Sequence, residues 1–565
     1  MAERSADISP RDGRRVSAAA VLFWAAAVVV LFWGLGGRAL WGPEGRWAEI
    51  VREMFLAGDF FHPRLNGFPY FDKPLFSYWG IALASVVTGG LDEWAVRLPS
   101  AVAGLVALWA TVTLGARLWS RRAGWIAGWI LLTTAGFAGW ARVGSADAAN
   151  LAAVMAAVAW YWARRDETGF GAYLGFYLIC ALGAHFKGLT AVAVPAAALL
   201  PDLARGGRWR RHLNPAHAAA LSLGVVAYLL PFLYADLAAG AYGERGLFMA
   251  FRENVVRYVH PFDHREPFYV YFRYLPVLLL PWTPLSAGAL ADMAAGYRRL
   301  DPRARWVLEA AGAVFLFFTL SGSRRSYYIL PVIPFCALAG AAYLDGIGGR
   351  TRWREAAVRL QAGVFAVLAA AEIAGALAWP WIRAKAGWPE VPGLRLGGAA
   401  VGTGMLLALW APRRLRPAPG WPPAVMGLLA SAAVAAAGVF AVQQPQFEAF
   451  RTEKPFLLGL KAAARGVPPE RIGVYGKLMS NLYFYLDEPR PVALFLGTGD
   501  LCRFLEAPGP KVIVARAEDL DVIRWALPAA VVERPLLVSR AWPRLGKEAA
   551  RLFAWRLEGD VRCHR

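Results

Sequence analysis

Residues 14–37 read RRVSAAAVLFWAAAVVVLFWGLGG. Two arginines precede an uncharged run of about 20 residues, enough for a helix to cross the hydrocarbon layer of a bilayer. A secretory leader has a shorter apolar centre of roughly 7–15 residues and a small-residue cleavage site. No convincing site follows here, so the run reads as a retained anchor. Similar runs recur along the chain, from Trp94–Leu118 through Gly124–Trp140 and Phe268–Met293 to Trp421–Val442. They number about thirteen, counted at the length a bilayer requires. The chain of 565 residues is 58% hydrophobic and 18% charged, against about 25% charged in soluble domains. These figures exclude a disordered chain and a secreted disulfide scaffold.

Lys and Arg number 61 against 40 Asp and Glu, a net charge of +21. In a soluble chain that excess would point to nucleic acid. Here the arginines fall in alternate inter-span segments, such as 117–122, 205–211, 298–305, 350–359 and 413–416. The positive-inside rule then places the N-terminus in the cytoplasm, and nucleic acid is not expected as a partner. An odd number of crossings puts residues 37–93, 236–267 and 443–565 on the outer side. The chain thus reads as a polytopic α-helical membrane protein: a transmembrane part over residues 1–442, with 37–93 as its first outer loop, and an extracytoplasmic α/β domain over 443–565. In that tail RIGVYG (471–476) and KVIVAR (511–516) look like buried strands, and 453–465 has helical periodicity. Cys502 and Cys563 both lie there. An oxidising compartment would permit a disulfide between them, and two separate buried thiols are the alternative.

The first outer loop, LWGPEGRWAEIVREMFLAGDFFHPRLNGFPYFDKPLFSYW (40–79), is the richest in candidate chemistry. Trp47, Ile50, Val51, Met54 and Phe55 recur at helical spacing, which predicts an amphipathic helix lying on the membrane surface. Glu49, Arg52 and Glu53 fit its solvated face. Glu44 follows Pro43 at the helix start, where a carboxylate can face a cavity between loop and bundle. In PYFDKPL (69–75), Asp72 and Lys73 are an ion pair at an interface or, alternatively, Lys73 is a point charge for a lipid-linked phosphate.

Ionisable residues at span boundaries are functional candidates by default. Asp147 begins a span, Lys187 separates two, and Arg324 and Arg325 lie at an outer boundary where cations are disfavoured, which suggests a bound anion. Arg142 or Arg324 pairing with Asp147 to tie helices together is the structural alternative. His260, Asp263, His264 and Glu266 could ligate a divalent cation with help from Asp72, although packing and turn capping explain the same residues without a metal.

These residues resemble a known family, the bacterial polyprenyl-phosphate-dependent glycosyltransferases of the GT-C fold. The nearest branch is the lipid A aminoarabinose transferases, which are related to protein O-mannosyltransferases. The resemblance rests on EGRWAEIVREM and GDFFHPRLNGFPYFDKPLFSYW in the first loop, SAD (145–147), HFKG (185–188), HREPFYVYF (264–272) and SRRSYYILPVIP (323–334). It implies transfer of a sugar such as 4-amino-4-deoxy-L-arabinose, or a related pentose or hexose. The donor is an undecaprenyl or other polyprenyl phosphate, and the acceptor an envelope lipid or glycolipid such as lipid A at the outer face of the inner membrane. Lys73 and Arg46 would contact the donor phosphate, Trp47 and Tyr70 would line the donor cavity, and Tyr328 would sit near the phosphate. Lys187, Arg324 and Arg325 would add cations. Asp147 resembles the family's acid at the outer end of a span, and Asp72 with His264 resembles a divalent-metal position. One departure stands out. The family usually opens its loop helix with Asp-Glu, the Asp being the proposed catalytic carboxylate, whereas here Pro43 precedes Glu44. Either Glu44 takes that role or the acceptor needs no base.

The rival class is a transporter or flippase of a lipid-linked anion. Transporters commonly carry midplane sites and inverted repeats, neither of which is visible here. A non-catalytic assembly protein would leave the outer cations unexplained.

Overall fold

The computed structural model describes residues 18–70, 72–238, 246–259, 265–347, 352–388, 390–414, 421–539 and 551–563. After α1 (Ala18–Phe32) comes α2 (Glu44–Ala57), then a hairpin of β1 (Arg64–Leu65) and β2 (Phe68–Pro69), and α3 (Phe76–Thr88). The long α4 (Glu93–Leu118) follows, then α5 (Arg121–Leu132), α6 (Ala135–Trp140), α7 (Asp147–Ala163), α8 (Phe170–Lys187), α9 (Thr190–Ala204) and α10 (Pro215–Ala238). Two short helices, α11 (Gly246–Phe251) and α12 (Arg257–Val259), lead to α13 (Val270–Leu278) and α14 (Thr283–Ala295). The bundle ends with α15 (Pro302–Leu320), α16 (Ile333–Asp345), α17 (Arg352–Ala386), α18 (Leu394–Arg414) and α19 (Pro423–Ala437).

Among the described residues, five helices are long and apolar enough to cross a membrane: Glu93–Leu118, Pro215–Tyr234, Trp353–Ala386, Leu394–Arg414 and Pro423–Glu448. The expected continuous span at Phe268–Met293 is instead α13 and α14 bent by 119°. Pro281 and Pro284 stand at the break, and neither has the amide hydrogen a continuing helix needs. Gly124–Trp140 likewise divides into α5 and α6 at Thr133–Thr134. The expected span Trp421–Val442 does not end at 442. It passes through a π-turn (Gly438–Gln443) into α20 (Gln444–Arg451). The sequence reading also missed α3, whose apolar stretch is too short to register as a crossing.

Beyond α20, α21 (Lys454–Ala463) and α22 (Ser480–Leu486) flank a five-stranded mixed sheet. Its strands are β3 (Ile472–Tyr475), β4 (Ala493–Phe495), β5 (Lys511–Arg516), β6 (Leu537–Val538) and β7 (Leu552–Leu557), ordered β4-β3-β5-β7-β6. β3 runs parallel to β4 and β5, and β7 is antiparallel to both β5 and β6. The strands expected at 471–476 and 511–516 are β3 and β5. Along β5 the side chains alternate: Val512 and Val514 join the core that faces the first loop, while Ile513 and Ala515 join the core on the far side. Cys502 and Cys563 form a disulfide with Cα atoms 5.5 Å apart, which settles the alternative left open by the sequence.

The largest core lies inside the helical bundle and is built around residues such as Trp282, Trp306, Phe335 and Leu338. A second core joins the first loop to the C-terminal sheet. It contains Trp47, Ile50, Val51 and Met54 of α2 together with Leu482, Tyr483, Tyr485 and Leu486 of α22.

Candidate active site

α2 forms where the sequence places it, but it does not lie on a surface. Glu44, Gly45, Trp47, Ala48, Glu49, Ile50, Val51 and Met54 are all buried. The polar face expected in solvent is covered by α22, which buries Glu49 against Arg52 (2.8 Å for both oxygens). Burial pushes the Glu49 carboxyl up to about 7, against the opposing pull of Arg52.

Glu44 does not face a cavity. Its carboxylate is fully buried and takes a two-pronged pair of bonds from Arg97 (2.7 and 2.8 Å), with Arg38 at 3.3 Å. Backbone amides of Trp41 (2.8 Å) and Gly144 (2.9 Å) complete it. Burial would raise its pKa, but Arg97, Arg38 and the Gly144 amide outweigh that and hold it below the usual carboxylate range. Glu44 therefore clasps α2, α4 and the loop before α7.

The hairpin after α2 turns at Asn66 and Gly67, both with positive φ (52° and 76°), the backbone that an Asn-Gly turn favours. It delivers the chain to Asp72 and Lys73. Lys73 Nζ lies 3.1 Å from the Asp72 carboxylate, Arg46 approaches the same oxygen at 3.4 Å, and the Tyr78 hydroxyl donates to the other at 3.2 Å. Arg46 also donates to the Tyr70 hydroxyl (2.8 Å). Burial alone would raise the Asp72 pKa, but Lys73 and Arg46 more than offset it and hold the carboxyl low. Trp47 packs on Tyr78 (4.9 Å between rings) and supports this group from behind.

The second cluster comes from the bundle. Lys187 ends α8 and Asp147 begins α7, and the two form an ion pair. Asp147 also accepts from the Ser145 hydroxyl (3.0 Å). Lys187 lies over the Tyr328 ring at 4.8 Å. Asp147 is thus paired with Lys187 and not with Arg142, which donates to the carbonyls of Val30 and Trp33 at the end of α1 (2.8 Å each).

Both clusters meet at a cavity of about 350 Å³ lined by Asp72, Lys73, Lys187 and Tyr328. Neutral polar groups, Asn150, Thr190, Asn254 and Ser323, line it as well, with apolar Phe232, Phe317 and Phe318. Thr190 donates to Asn150 Oδ1 (3.0 Å). Sequence reasoning missed these residues. Asn150 was findable, since it lies three positions after Asp147 on the same helix face. Asn254 and Glu253 come from a stretch read as a loop, 236–267, where a π-turn (Arg252–Val256) and α12 form part of the wall.

Arg324 and Arg325 do not line this cavity. The Arg324 guanidinium caps the end of α15 through Thr319 O (3.2 and 3.1 Å) and reaches Glu266 O (3.0 Å). Arg325 is exposed. His260, Asp263 and His264 lie outside the described residues. Among the described residues no group of three His, Cys, Asp or Glu side chains could hold a metal. Asp72 is shared by Lys73 and Arg46.

Residues 72–234 match the family described as dolichyl-phosphate-mannose-protein mannosyltransferase, a segment running from Asp72 to Tyr234 and including Lys73, Asp147 and Lys187. An undecaprenyl phosphate-α-4-amino-4-deoxy-L-arabinose arabinosyl transferase of Sodalis glossinidius is 32% identical over 63% of this chain and 65% of its own length. Its counterpart in Edwardsiella ictaluri is 30% identical over 58% and 60%. The chain thus matches less than two thirds of the length of these relatives. The crystal structure of ArnT from Cupriavidus metallidurans bound to undecaprenyl phosphate superposes with a TM-score of 0.71, at 22% identity, covering 94% of this chain and 97% of that one. The chain has that fold. It is the GT-C architecture implied by the sequence motifs, and the resemblance to aminoarabinose transferases holds in sequence as well as in shape.

Proposed function

We propose that this protein is an integral-membrane glycosyltransferase that takes a sugar from a polyprenyl phosphate and passes it to an envelope acceptor. The observation that carries this reading is the cavity at which Lys73 and Lys187, contributed by two separate parts of the chain, converge beside neutral amide and hydroxyl groups. Cations suit the phosphate that departs with the lipid, and amide and hydroxyl groups with aromatic rings suit a sugar. The sequence similarity to undecaprenyl phosphate aminoarabinose transferases supports that donor and an aminopentose or related sugar. The acceptor would be lipid A or a similar glycolipid at the outer face of the inner membrane.

In this reaction the bond between the anomeric carbon and the phosphate oxygen breaks, and an acceptor oxygen bonds to that carbon. Lys73 and Lys187 stabilise charge on the departing phosphate, and Arg46 supports Lys73 through Asp72. Asp147 and Tyr328 hold Lys187 in place. Glu44, with its oxygens occupied, serves as a clasp and not as the base. An acceptor that is itself a phosphate anion has no proton to lose, which agrees with Pro43 standing where the family carries an acid.

About thirteen crossings, a cytoplasmic N-terminus and a periplasmic C-terminal unit complete the reading. The Cys502–Cys563 disulfide supports an oxidising outer compartment for that unit. The test uses purified protein in detergent with labelled polyprenyl-phosphate sugars and an envelope-lipid extract. Label should leave the carrier with wild type and stay on it with Lys73→Ala. If no sugar moved from any donor while undecaprenyl phosphate still bound, the enzyme reading would give way to transport.

A further inference from the structure

The C-terminal sheet unit grips the first loop at three places, all within the stretch that carries Arg46, Tyr70, Asp72 and Lys73. At the first, a Cβ built on Gly45 would lie 1.8 Å from Asn481 Oδ1 and 2.8 Å from the Asn481 backbone nitrogen. No residue but glycine fits there, and Gly45 stands between Glu44 and Arg46. Beside it the Tyr485 hydroxyl accepts from Leu40 N and donates to Glu93 (2.8 Å each). At the second, Arg52 donates to Glu488 O (2.8 Å). At the third, Asn66 and Val492 exchange two hydrogen bonds (3.0 and 2.9 Å), and a Cβ on Gly67 would meet Pro491 at 2.6 Å. The opposite side of α2 presents Arg46 to Asp72 and Trp47 to Tyr78. α2 is therefore a plate held between the C-terminal unit and the ion cluster at the cavity.

From this geometry we infer that the C-terminal unit is a positioning element of the donor-phosphate site, acting through Gly45–Asn481 and Asn66–Val492 on the placement of Arg46, Asp72 and Lys73. The inference rests on the proposed function for its meaning but not for its measurement. Shape at Gly45 matters because the nearest atoms include backbone, which cannot swing aside. A displacement of α2 by even about 1 Å is enough to cost a large factor at a site that works by geometry.

The experiment uses the full chain in detergent and two readouts: hydrogen exchange of the segment 68–79, measured without ligand, and the Kd for undecaprenyl phosphate. Gly45→Ala should speed exchange across 68–79 and weaken undecaprenyl phosphate binding by about tenfold or more. Asn66→Ala, which removes both bonds to Val492 and keeps the fold if Gly45→Ala does not, should weaken it by about fivefold or more. Adding Asn481→Gly to Gly45→Ala removes the nearest clashing atoms and should restore part of both readouts. As control, Cys502→Ser with Cys563→Ser loosens the far side of the sheet, whose core is separate from the one shared with α2. That double variant should leave exchange at 68–79 unchanged. Unchanged exchange at 68–79 in folded Gly45→Ala and Asn66→Ala overturns the inference, as does an equal response in the cysteine variant. If the exchange coupling is present while wild type moves no sugar, the inference stands and the proposed reaction falls.

Discussion

Glu44 and Asp72 are carboxylates of one loop between the first helices, both held by arginines, yet they are chemically unlike. Glu44 is fully buried and accepts from two arginines and two backbone amides, with no oxygen left over. Asp72 keeps 22% of its side chain exposed, faces the cavity, and shares its charge with one lysine and one arginine. A carboxylate saturated by fixed donors holds helices together, whereas one balanced at the edge of a cavity organises cations that a substrate can reach. Position in a motif does not distinguish the two; the number of committed donors does.

Removing the clasp gives the largest expected effect. Glu44→Ala leaves Arg97 buried and uncompensated, which should cost about 3–5 kcal/mol of stability. Thermal unfolding and membrane yield would record it. Glu44→Gln sharpens the point: assayed where it is folded, it should keep turnover within about tenfold, because no base is lost. Complete inactivity in a folded Glu44→Gln protein would restore Glu44 as a catalytic carboxylate and dissolve the contrast with Asp72.

At the cavity edge, Lys73→Ala should lower kcat/KM by about 10²–10³ with little change in melting temperature. Asp147→Asn should act next. It frees Lys187 from its partner, so donor KM should rise several-fold while the protein stays folded, as steady-state kinetics on labelled donor would show.

A third carboxylate, Glu49, tests the buried side by pH. Its folded pKa of about 7 lies above the ordinary 4.5, so across that window the folded protein binds a proton that the unfolded chain has released. Stability from this site is therefore greatest below the lower value and falls as pH rises through the upper one. The melting temperature should be higher near about pH 5 than near about pH 8, and Glu49→Gln should flatten the difference. The smallest effect is expected at Arg324. Arg324→Ala removes a helix cap and should leave donor KM within about twofold, with roughly 1 kcal/mol lost in stability.

Much of this was legible in the sequence because it depends on local pattern. Uncharged runs marked the bundle helices and short buried apolar runs marked β3 and β5, whereas the hairpin at Asn66-Gly67 went unread. The FDKP turn and the SAD and HFKG junctions identified Asp72, Lys73, Asp147 and Lys187 as candidates, and the fold brings all four to one place. Arg324 was read as an anion-holding cation because a boundary arginine looks the same in sequence whether it holds an anion or caps a helix; the Thr319 carbonyl 3.2 Å from it shows the cap. α2 was misread as a surface helix because its cover arrives some 430 residues later in the chain, from α22 and the Glu488 carbonyl just beyond it.

The sequence by itself determined the helical bundle, the long loop after the first helix and the ionisable residue types gathered there, since hydropathy and turn chemistry act over a few residues. The tertiary structure alone decided which carboxylate is spent on arginines and which is left at the cavity, and that the C-terminal sheet backs the helix carrying Arg46. Both depend on desolvation and on donors contributed from distant parts of the chain, and neither is written in any local stretch.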